Sequence, residues 1–516
     1  MTNAIGKHVR AGVLLLVVAA AYVFFTLRAD VSADSIADMR ETREVTIMLT
    51  EEGFMPKSVA IAPGTVVTFA TNRGVSFWPA SDIHPTHSVY PEFDPRTAVD
   101  PEDLWSYQFD KIGVWAYHDH LKAVYAGYII VAASTESIAE VEKTFETCGF
   151  ARTDRERLAC FSFRISDVLA DQGLDAAYDA LVALYRENPS FTESCHTFAH
   201  DLGLSAYRRF GERVPLTTKV GYCNDGFFHG YMEGFFIEHD SQEARDFCDR
   251  VRARFAAVYA YAGPQCDHGI GHGIVEYLLH EKPEMWDDIP QIINEALSIC
   301  HVQVDEGNLD SCASGAYSVI GNWLNFRPEY GDLVTAQDPY ALCKMTPYAW
   351  SQEGCIWEFS KRIRKFFPKS PDPVADFVAP IRFAIQAGLS FENGKYLERI
   401  MRSMGHTFSY RYVLEEPAFL ADMCRRVSEE PQLQQGCLIG IMSGLFAGGR
   451  PENGPERAAA FCVSEALGDS ERTTCARVLL EYVRNSFHSD GMRSVCRIFG
   501  EHLGNKAIQE ECNTML

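Results

Sequence analysis

Apolar and polar positions follow two different periods along the chain. Between residues 44 and 133, apolar residues recur at every second position in runs such as EVTIMLTE and SVAIAPGTVVTFATN, which are broken by Gly and Pro. Further runs of this kind predict strands at 104–110, 114–120 and 127–133. A period of two is typical of strands with one buried face. Short strands separated by turn residues predict a β-sandwich over 44–133.

From residue 134 onward the apolar pattern changes to that of helices. Segments such as LDAAYDALVALYREN and PQIINEALSIC carry apolar residues at positions i, i+3, i+4 and i+7. Four cysteines, Cys223, Cys266, Cys312 and Cys355, follow one another at intervals of 43, 46 and 43 residues. A period near 40 in a helical region is typical of stacked helical hairpins. The sequence therefore predicts an all-α helical-hairpin repeat domain over 134–516.

The N-terminus has the pattern of an export segment. Lys7 and Arg10 precede an apolar run over 11–27, which ends at Arg28. A positive flank before such a run is typical of a signal peptide or of an uncleaved anchor. We expect a signal anchor or signal peptide over 1–29, with an anchor favoured because no clean cleavage site follows, and a linker over 30–43. The remaining chain would then lie outside the cytoplasm.

All sixteen cysteines lie after residue 147. An even number of cysteines behind an export segment indicates a disulfide framework, which fits an oxidising compartment. There is no CxxC motif, which argues against a zinc ribbon and a thioredoxin-type centre. Pairing the cysteines in chain order predicts eight disulfides: Cys148–Cys160, Cys195–Cys223, Cys248–Cys266, Cys300–Cys312, Cys343–Cys355, Cys424–Cys437, Cys462–Cys475 and Cys496–Cys512.

Charge and motifs exclude several classes of function. The formal net charge of −23 disfavours nucleic acid as a partner, because a duplex is met by clustered Lys and Arg. No GxSxG, P-loop or GxGxxG motif occurs in the context that its chemistry needs. Oxidised cysteines are not nucleophiles. Whether the protein is an enzyme stays open at this point.

The β-half resembles a known family. The segments GFMPKSVAIAPGTVVTFATN, HPTHSVYPEFDP, FDKIGVWAYHDH and GYIIV are similar to those of the cupredoxin family, in particular its EfeO-type, plastocyanin-like domains. The resemblance covers 44–133 and implies a Greek-key sandwich with a copper site. It implies that His87 is one ligand and that the other ligands lie on the loop between the last two strands. That loop reads YHDHL and has no cysteine, so the thiolate chemistry of a blue copper site is not available.

The candidate ligands of this β-site lie on two loops that meet at one end of a sandwich. They are His84, His87, His118 and His120, with Asp119 and Glu92 as further oxygen ligands. Strand alternation sends His118 and His120 to the same face. Imidazole and carboxylate ligands suit Cu(II), Zn(II) or iron, and Cu(II) binds such a set most tightly. The alternative is a metal-free domain in which these histidines satisfy backbone groups.

A second set of candidate ligands recurs in the helical half. Three segments, CHTFAH, CNDGFFHGYMEG and CDHGIGHGIVE, begin with a cysteine and place a histidine at a helical spacing from another ligand. The set consists of His196, His200, His229, Glu233, His268, His272 and Glu276, and Gly405-His406 resembles it. Stacked helices would place these groups side by side, which predicts a site for zinc or iron. The alternative is a structural row of packed histidines.

These observations lead to one hypothesis and two alternatives. The first is an extracytoplasmic, copper-binding, cupredoxin-like protein that handles metal or delivers metal or electrons to a protein partner. It would be held by its N-terminal helix on the periplasmic or cell-surface side of a bacterial inner membrane, or secreted. The second is a periplasmic metalloenzyme that uses the His/Glu set of the helical half. The third is a scaffold whose repeat surface binds a protein or a polymer.

Overall fold

The structure is a computed structural model. It describes residues 44–82, 87, 89–132, 148, 154–188, 194–282, 285, 288–326, 333–368, 370–449, 451–486 and 489–515. The predicted export segment, the linker and His84 lie outside this part of the chain. Among the described residues, none of the helices is both long and apolar enough to cross a membrane.

The first part of the described chain consists of β-strands. They are β1 (Glu44–Thr50), β2 (Gly53–Met55), β3 (Ser58–Ile61), β4 (Thr65–Thr71), β5 (Pro79–Ser81), β6 (Trp105–Phe109), β7 (Gly113–Asp119) and β8 (Lys122–Val131). The strands expected from the apolar pattern are present. The sequence analysis missed β2 and β5, because three residues are too few for an alternating pattern to be visible.

These strands form two four-stranded sheets, in the orders β2-β1-β4-β6 and β3-β8-β7-β5. Strands β1 and β4 pair in parallel, as do β3 and β8. The chain changes sheet at five of its seven connections, so most neighbours in a sheet are distant in sequence.

Aromatic side chains fill the space between the two sheets. The ring of Tyr117 on β7 meets Phe54 on β2 at 4.8 Å and Phe69 on β4 at 5.4 Å between centroids. All three side chains are buried. Edge-to-face contacts of this kind add to the stabilisation that comes from burial alone. The predicted β-sandwich is therefore present.

The rest of the described chain is helical. The helices are α1 (Asp154–Gln172), α2 (Leu174–Glu187), α3 (Cys195–Phe210), α4 (Gly226–Phe235), α5 (Ser241–Phe255), α6 (Ala262–Glu281), α7 (Ile289–Gln303), α8 (Leu309–Phe326), α9 (Ala341–Met345), α10 (Gln352–Arg362), α11 (Pro373–Leu389), α12 (Leu397–Arg411), α13 (Pro417–Val427), α14 (Pro431–Ala447), α15 (Gly454–Cys462), α16 (Asp469–Ser486), α17 (Ser489–His502) and α18 (Lys506–Met515).

Disulfides join consecutive segments of this helical body. Seven of the predicted bonds are Cys195–Cys223, Cys248–Cys266, Cys300–Cys312, Cys343–Cys355, Cys424–Cys437, Cys462–Cys475 and Cys496–Cys512. Cys148 and Cys160 are disulfide-bonded as well. Six of the seven bonds join the two helices of a hairpin, as the sequence predicted. Cys195–Cys223 instead joins the start of α3 to the turn before α4.

Glycines allow the helices of successive hairpins to approach closely. A Cβ atom at Gly230 on α4 would lie 2.0 Å from the carbonyl oxygen of His200 on α3. A Cβ atom at Gly315 on α8 would lie 1.9 Å from the carbonyl oxygen of His268 on α6. Only glycine allows such backbone contact, because any side chain would overlap the neighbouring helix. The contact brings histidines of successive helices within reach of one another.

The helices are arranged around a central cavity of about 740 Å³. Residues of α3, α4, α6, α8, α10, α12, α14 and α16 line it. The start of α6 contacts the end of α16, because the backbone N–H of Tyr261 donates to the carbonyl of Asn485 over 3.0 Å. Helices that are distant in sequence therefore contribute to the wall of one cavity. The histidines that the sequence placed side by side on stacked helices lie in or next to the lining of this cavity.

The chain divides into two compact units. Most of the strands belong to one unit. The other contains the helical body together with residues 77–98 and 118–125. All the residues of the two candidate metal centres described below belong to this second unit.

Candidate metal centres

The β-site brings together three of its four predicted histidines. Atoms of His87, His118 and His120 that could ligate a metal all lie within 4.8 Å of one another. All three side chains are buried. Strand β7 positions His118 at its end, and His120 follows directly after it. His87 has a backbone φ of 48°, a left-handed conformation that is uncommon for any residue except glycine.

Carboxylates hold two of these imidazoles in place. Asp94 Oδ2 lies 2.8 Å from His87 Nδ1, and Asp82 Oδ1 lies 2.6 Å from His118 Nδ1. Both hydrogen bonds use Nδ1, so Nε2 is the ring nitrogen that each histidine presents for coordination. A carboxylate behind a metal-binding histidine fixes its tautomer and its ring orientation. The sequence analysis did not name Asp82 or Asp94, although both lie in the same loop region as His87.

The third imidazole, that of His120, completes the ligand set. His87 Nε2 lies 2.9 Å from His120 Nδ1. Two nitrogens at that separation fit neighbouring positions around one ion, since metal–imidazole bonds are about 2.0 Å long. The backbone N–H of His120 donates to the carbonyl of Trp78 over 2.7 Å, which fixes the residue next to the indole ring.

Asp94 is held in its ionised form. Burial alone would raise the pKa of Asp94, but the hydrogen bond and the charge of His87 outweigh burial and hold the pKa well below its usual range. The backbone N–H of Arg96 and the indole N–H of Trp78 also donate to this carboxylate, each over 2.8 Å. An ionised Asp94 accepts the Nδ1 proton of His87, which leaves the lone pair on Nε2.

Asp119 and Glu92, which the sequence predicted as oxygen ligands, do not converge with the three histidines of the β-site. Asp119 is fully buried, and its Oδ1 accepts a hydrogen bond from the backbone N–H of Trp78 over 2.8 Å. Strand alternation turns Asp119 away from His118 and His120. Glu92 is exposed. Neither residue belongs to the group of converging ligand atoms among the described residues.

In the helical half, three histidines form a second cluster, which we call the cavity triad: His229, His268 and His272. Their ligand atoms also lie within 4.8 Å of one another. The ring centroid of His229 lies 4.5 Å from that of His268 and 4.3 Å from that of His272. Helix α4 supplies His229 and helix α6 supplies the other two. His196 on α3 packs against His229 at 4.7 Å between centroids.

Glu233 bonds across helices and not along its own helix. Its Oε1 lies 2.9 Å from His272 Nδ1 and 3.0 Å from His200 Nε2. The sequence analysis had paired Glu233 with His229, four residues earlier on the same helix. Close packing at Gly230 brings His200 to the carboxylate. Glu276 is half-buried and does not belong to either group of converging ligand atoms.

Burial favours the neutral form of three imidazoles in and beside the cavity triad, those of His196, His229 and His268. Burial, helped by the charge of the neighbouring His200, lowers the pKa of His196 to about 4. Burial and the adjacent histidines also hold the pKa values of His229 and His268 well below their usual range. A neutral imidazole carries the lone pair that a metal needs, so these histidines are ready to coordinate without first losing a proton.

A second overlapping group, His200, Glu233 and His272, is less suited to a metal. Burial acts to lower the pKa of His200, but the charge and the hydrogen bond of Glu233 outweigh burial and raise it. The pKa of Glu233 is lowered in turn by His200 and His272, against the effect of burial. His200 and Glu233 thus form a buried ion pair. In this arrangement Glu233 orients His272 from behind, as a carboxylate does behind a metal-bound histidine.

Two nitrogen atoms of the cavity triad are buried without a hydrogen bond. They are His229 Nδ1 and His272 Nε2, for which the described part of the chain supplies no partner. A buried polar atom without a partner costs about 1–3 kcal/mol, so native proteins rarely leave two together. A metal ion bound by both nitrogens would remove this cost. The residues therefore fit a three-histidine metal centre.

Part of the wall of the cavity is cationic. The side chains of Lys361, Arg364, Arg399, Arg402 and Arg411 line it. The sequence analysis did not predict this group of cations, although the run SKRIRKFF, which begins on α10, is rich in Lys and Arg. His406, which the sequence placed with the helical histidines, lines the same cavity, and its Nδ1 lies 3.0 Å from Ser443 Oγ. His406 does not belong to the cavity triad.

Comparisons with known proteins found a similarity among solved structures. No protein-family model matches, and no curated protein matches. A solved structure of a purple cupredoxin from Nitrosopumilus maritimus is similar to 17% of this chain and to 99% of its own, at 18% identity and a TM-score of 0.16.

Proposed function

We propose that this chain is an extracytoplasmic metal-binding protein whose cupredoxin-like β-domain holds copper in a site without thiolate. The ligands are His87, His118 and His120. The convergence of these three buried imidazoles carries the proposal. Three nitrogen ligands without a cysteine suit Cu(II), which binds such sets more tightly than the other divalent ions of its row. Copper bound there would supply a redox-active ion without the strong colour of a thiolate site.

The protein's own residues prepare the β-site for this ion. Asp82 and Asp94 fix the orientation of two imidazoles. The short distance between His87 Nε2 and His120 Nδ1 places two donor atoms where one ion can bridge them. Burial of all three histidines limits the access of water. Such a site suits metal handling, or delivery of metal or electrons to a protein partner.

The disulfides support an extracytoplasmic location. All sixteen cysteines are disulfide-bonded. Proteins with many disulfides are typical of oxidising compartments such as the bacterial periplasm. The charge pattern before the apolar run over 11–27 points the same way. Attachment by an N-terminal helix to the outer side of a bacterial inner membrane remains part of the proposal.

Copper binding by the metal-depleted, full-length protein tests this proposal. We expect His87→Ala to remove one equivalent of Cu(II), together with its electron paramagnetic resonance signal, and His118→Ala to do the same. His502→Ala, at an exposed histidine of α17, is the control and should bind like the wild type. Equal copper content in His87→Ala, His118→Ala and the wild type would contradict the proposal. An intense blue thiolate band would contradict it too.

The scaffold alternative fits the helical body less well. A cavity of about 740 Å³ has the size of small-molecule sites, which span about 300–1,000 Å³. A protein or a polymer needs an open surface of larger area. The inner face of the repeats therefore favours a small ligand.

A further inference from the structure

We propose that the cavity triad, His229, His268 and His272, is a second metal centre, best suited to Zn(II), and that the metal-bearing cavity takes a small oxyanion. This centre is separate from the copper site of the β-domain. It would allow the helical half to bind a metal ion and an anion independently of the β-domain.

The ligand set points to zinc with an open position. Zn(II) is commonly held by three protein nitrogens when its fourth position is kept for water or a ligand. The triad offers three nitrogens from two neighbouring helices. His229 and His268 also line the cavity. A metal bound by them would therefore face the cavity with its remaining position.

Glu233 acts as a positioning residue for this centre. Its hydrogen bond to His272 Nδ1 directs the opposite nitrogen, Nε2, towards the other two histidines. Nε2 of His272 is one of the two buried nitrogens for which the described residues supply no hydrogen bond. His200 bonds to the same oxygen of Glu233 and holds the carboxylate in place.

The charge of the cavity wall points to an anion. Asp376 faces two guanidinium groups, those of Arg364 and Arg411. Glu358 likewise faces two cations, since its carboxylate lies 2.7 Å from Lys361 Nζ and 3.6 Å from Arg362. Cations therefore outnumber carboxylates two to one in each of these two groups. This excess occurs in a protein with a net charge of −23, so it is a local feature.

Two arginines of the cavity wall, Arg399 and Arg402, each have an N–H group without a hydrogen-bond acceptor among the described residues. Arg399 bonds to Asp310 and Arg402 bonds to Glu398, in each case through a terminal nitrogen. The Nε atoms of both arginines are buried, and no acceptor for them occurs among the described residues. A carboxylate or phosphate oxygen is the acceptor that a guanidinium N–H prefers. An oxyanion in the cavity would supply it while another of its oxygens reached the metal.

Cobalt binding tests the metal part of this proposal. Co(II) occupies zinc sites and reports tetrahedral coordination by its visible d–d absorption. The parent protein is full-length and metal-depleted, and carries His87→Ala and His118→Ala so that the β-site does not contribute. We expect one equivalent of Co(II), displaced by Zn(II), and a loss of affinity of at least about 100-fold on His268→Ala. His406→Ala, at a histidine of the same cavity, is the matched control and should bind like the parent.

A second variant and two contradicting outcomes complete the test of the metal part. His268→Gln keeps a polar side chain of similar size and replaces His268→Ala if that variant does not fold, as judged by circular dichroism. Absence of Co(II) absorption in the folded parent would overturn the proposal. Unchanged Co(II) affinity in a folded His268 variant would overturn it as well. Neither result tests copper binding at the β-site, because the parent lacks two of the three histidines of that site. Failure of this proposal is therefore distinguishable from failure of the proposed function.

Inorganic phosphate and acetate, added separately to the Co(II) form, test the anion part. We expect at least one of them to change the d–d spectrum with saturation, and Arg399→Gln to weaken that binding by about 10-fold. Arg497→Gln, at an exposed arginine of α17, is the control and should leave it unchanged. No spectral change with either anion would overturn the anion part, and so would equal binding by Arg399→Gln and the parent.

Discussion

The two candidate metal centres use the same chemistry on unrelated scaffolds. In the β-site, two loops of a sandwich bring His87, His118 and His120 together. In the helical body, the two helices α4 and α6 bring His229, His268 and His272 together. In both places a carboxylate bonds to Nδ1 of a histidine and directs its other nitrogen to the cluster. The orientation of imidazole by carboxylate is therefore independent of the fold that supplies it.

The centres differ in what holds them together. The β-site depends on hydrogen bonds between side chains of two loops. The cavity triad depends on backbone contact between helices, which glycines permit, and the wall of the cavity beside it depends on ion pairs. The two centres should therefore respond differently to steric, electrostatic and hydrogen-bond changes.

A steric change in the helical body should have the largest effect. We expect Gly230→Ala to lower the free energy of unfolding by more than about 3 kcal/mol, because its Cβ atom would overlap the carbonyl oxygen of His200. Urea denaturation measures the change. Gly307→Ala, where a Cβ atom meets nothing within 4 Å, is the control and should change stability little. Equal stability of the two variants would show that α3 and α4 are not in backbone contact.

An ion-pair change should have a somewhat smaller, pH-dependent effect. Burial alone would raise the pKa of Glu358, but Lys361 and Arg362 outweigh it and lower the pKa to about 2 from an ordinary value of 4.5. Stability from this ionised carboxylate is present above pH 4.5 and is lost as the pH falls towards 2. We expect Glu358→Gln to cost about 3 kcal/mol at pH 7 and progressively less below pH 4.5, measured by urea denaturation at each pH.

The matched control for this change is Glu353→Gln, at an exposed glutamate on the same helix. It should cost little at any pH, because an exposed charge loses little solvation on folding. A cost of Glu358→Gln that is the same at pH 7 and pH 3 would show that Glu358 is not ionised against its two cations.

A hydrogen-bond change at the β-site should have the smallest effect on free energy. We expect Asp94→Asn to weaken copper binding by about 10–100-fold, because an amide orients His87 less strongly than a carboxylate. Competition with a chelator of known affinity measures the change. Glu92→Gln, two residues earlier and exposed, should bind copper like the wild type. A loss in Glu92→Gln equal to that in Asp94→Asn would assign Glu92 a role as a ligand.

The sequence alone determined the type of each half of the protein. Alternation with a period of two gave the strands of the sandwich, and the spacing of cysteines gave the hairpins and their disulfides. These features depend on neighbours close in the chain, so local pattern is enough to predict them. The same holds for the histidine at each end of HDH, since alternation sends both to one face.

Only the tertiary structure decided which groups meet. Glu233 has His229 as its neighbour four residues earlier, yet it bonds to His200 and His272 on other helices. Asp94 holds His87, whereas Asp119, which lies between two ligand candidates, turns to the backbone of Trp78. Packing of helices that are distant in sequence created the cavity and its cationic wall. Sequence spacing does not record contacts between distant segments, because packing of whole helices and sheets sets them.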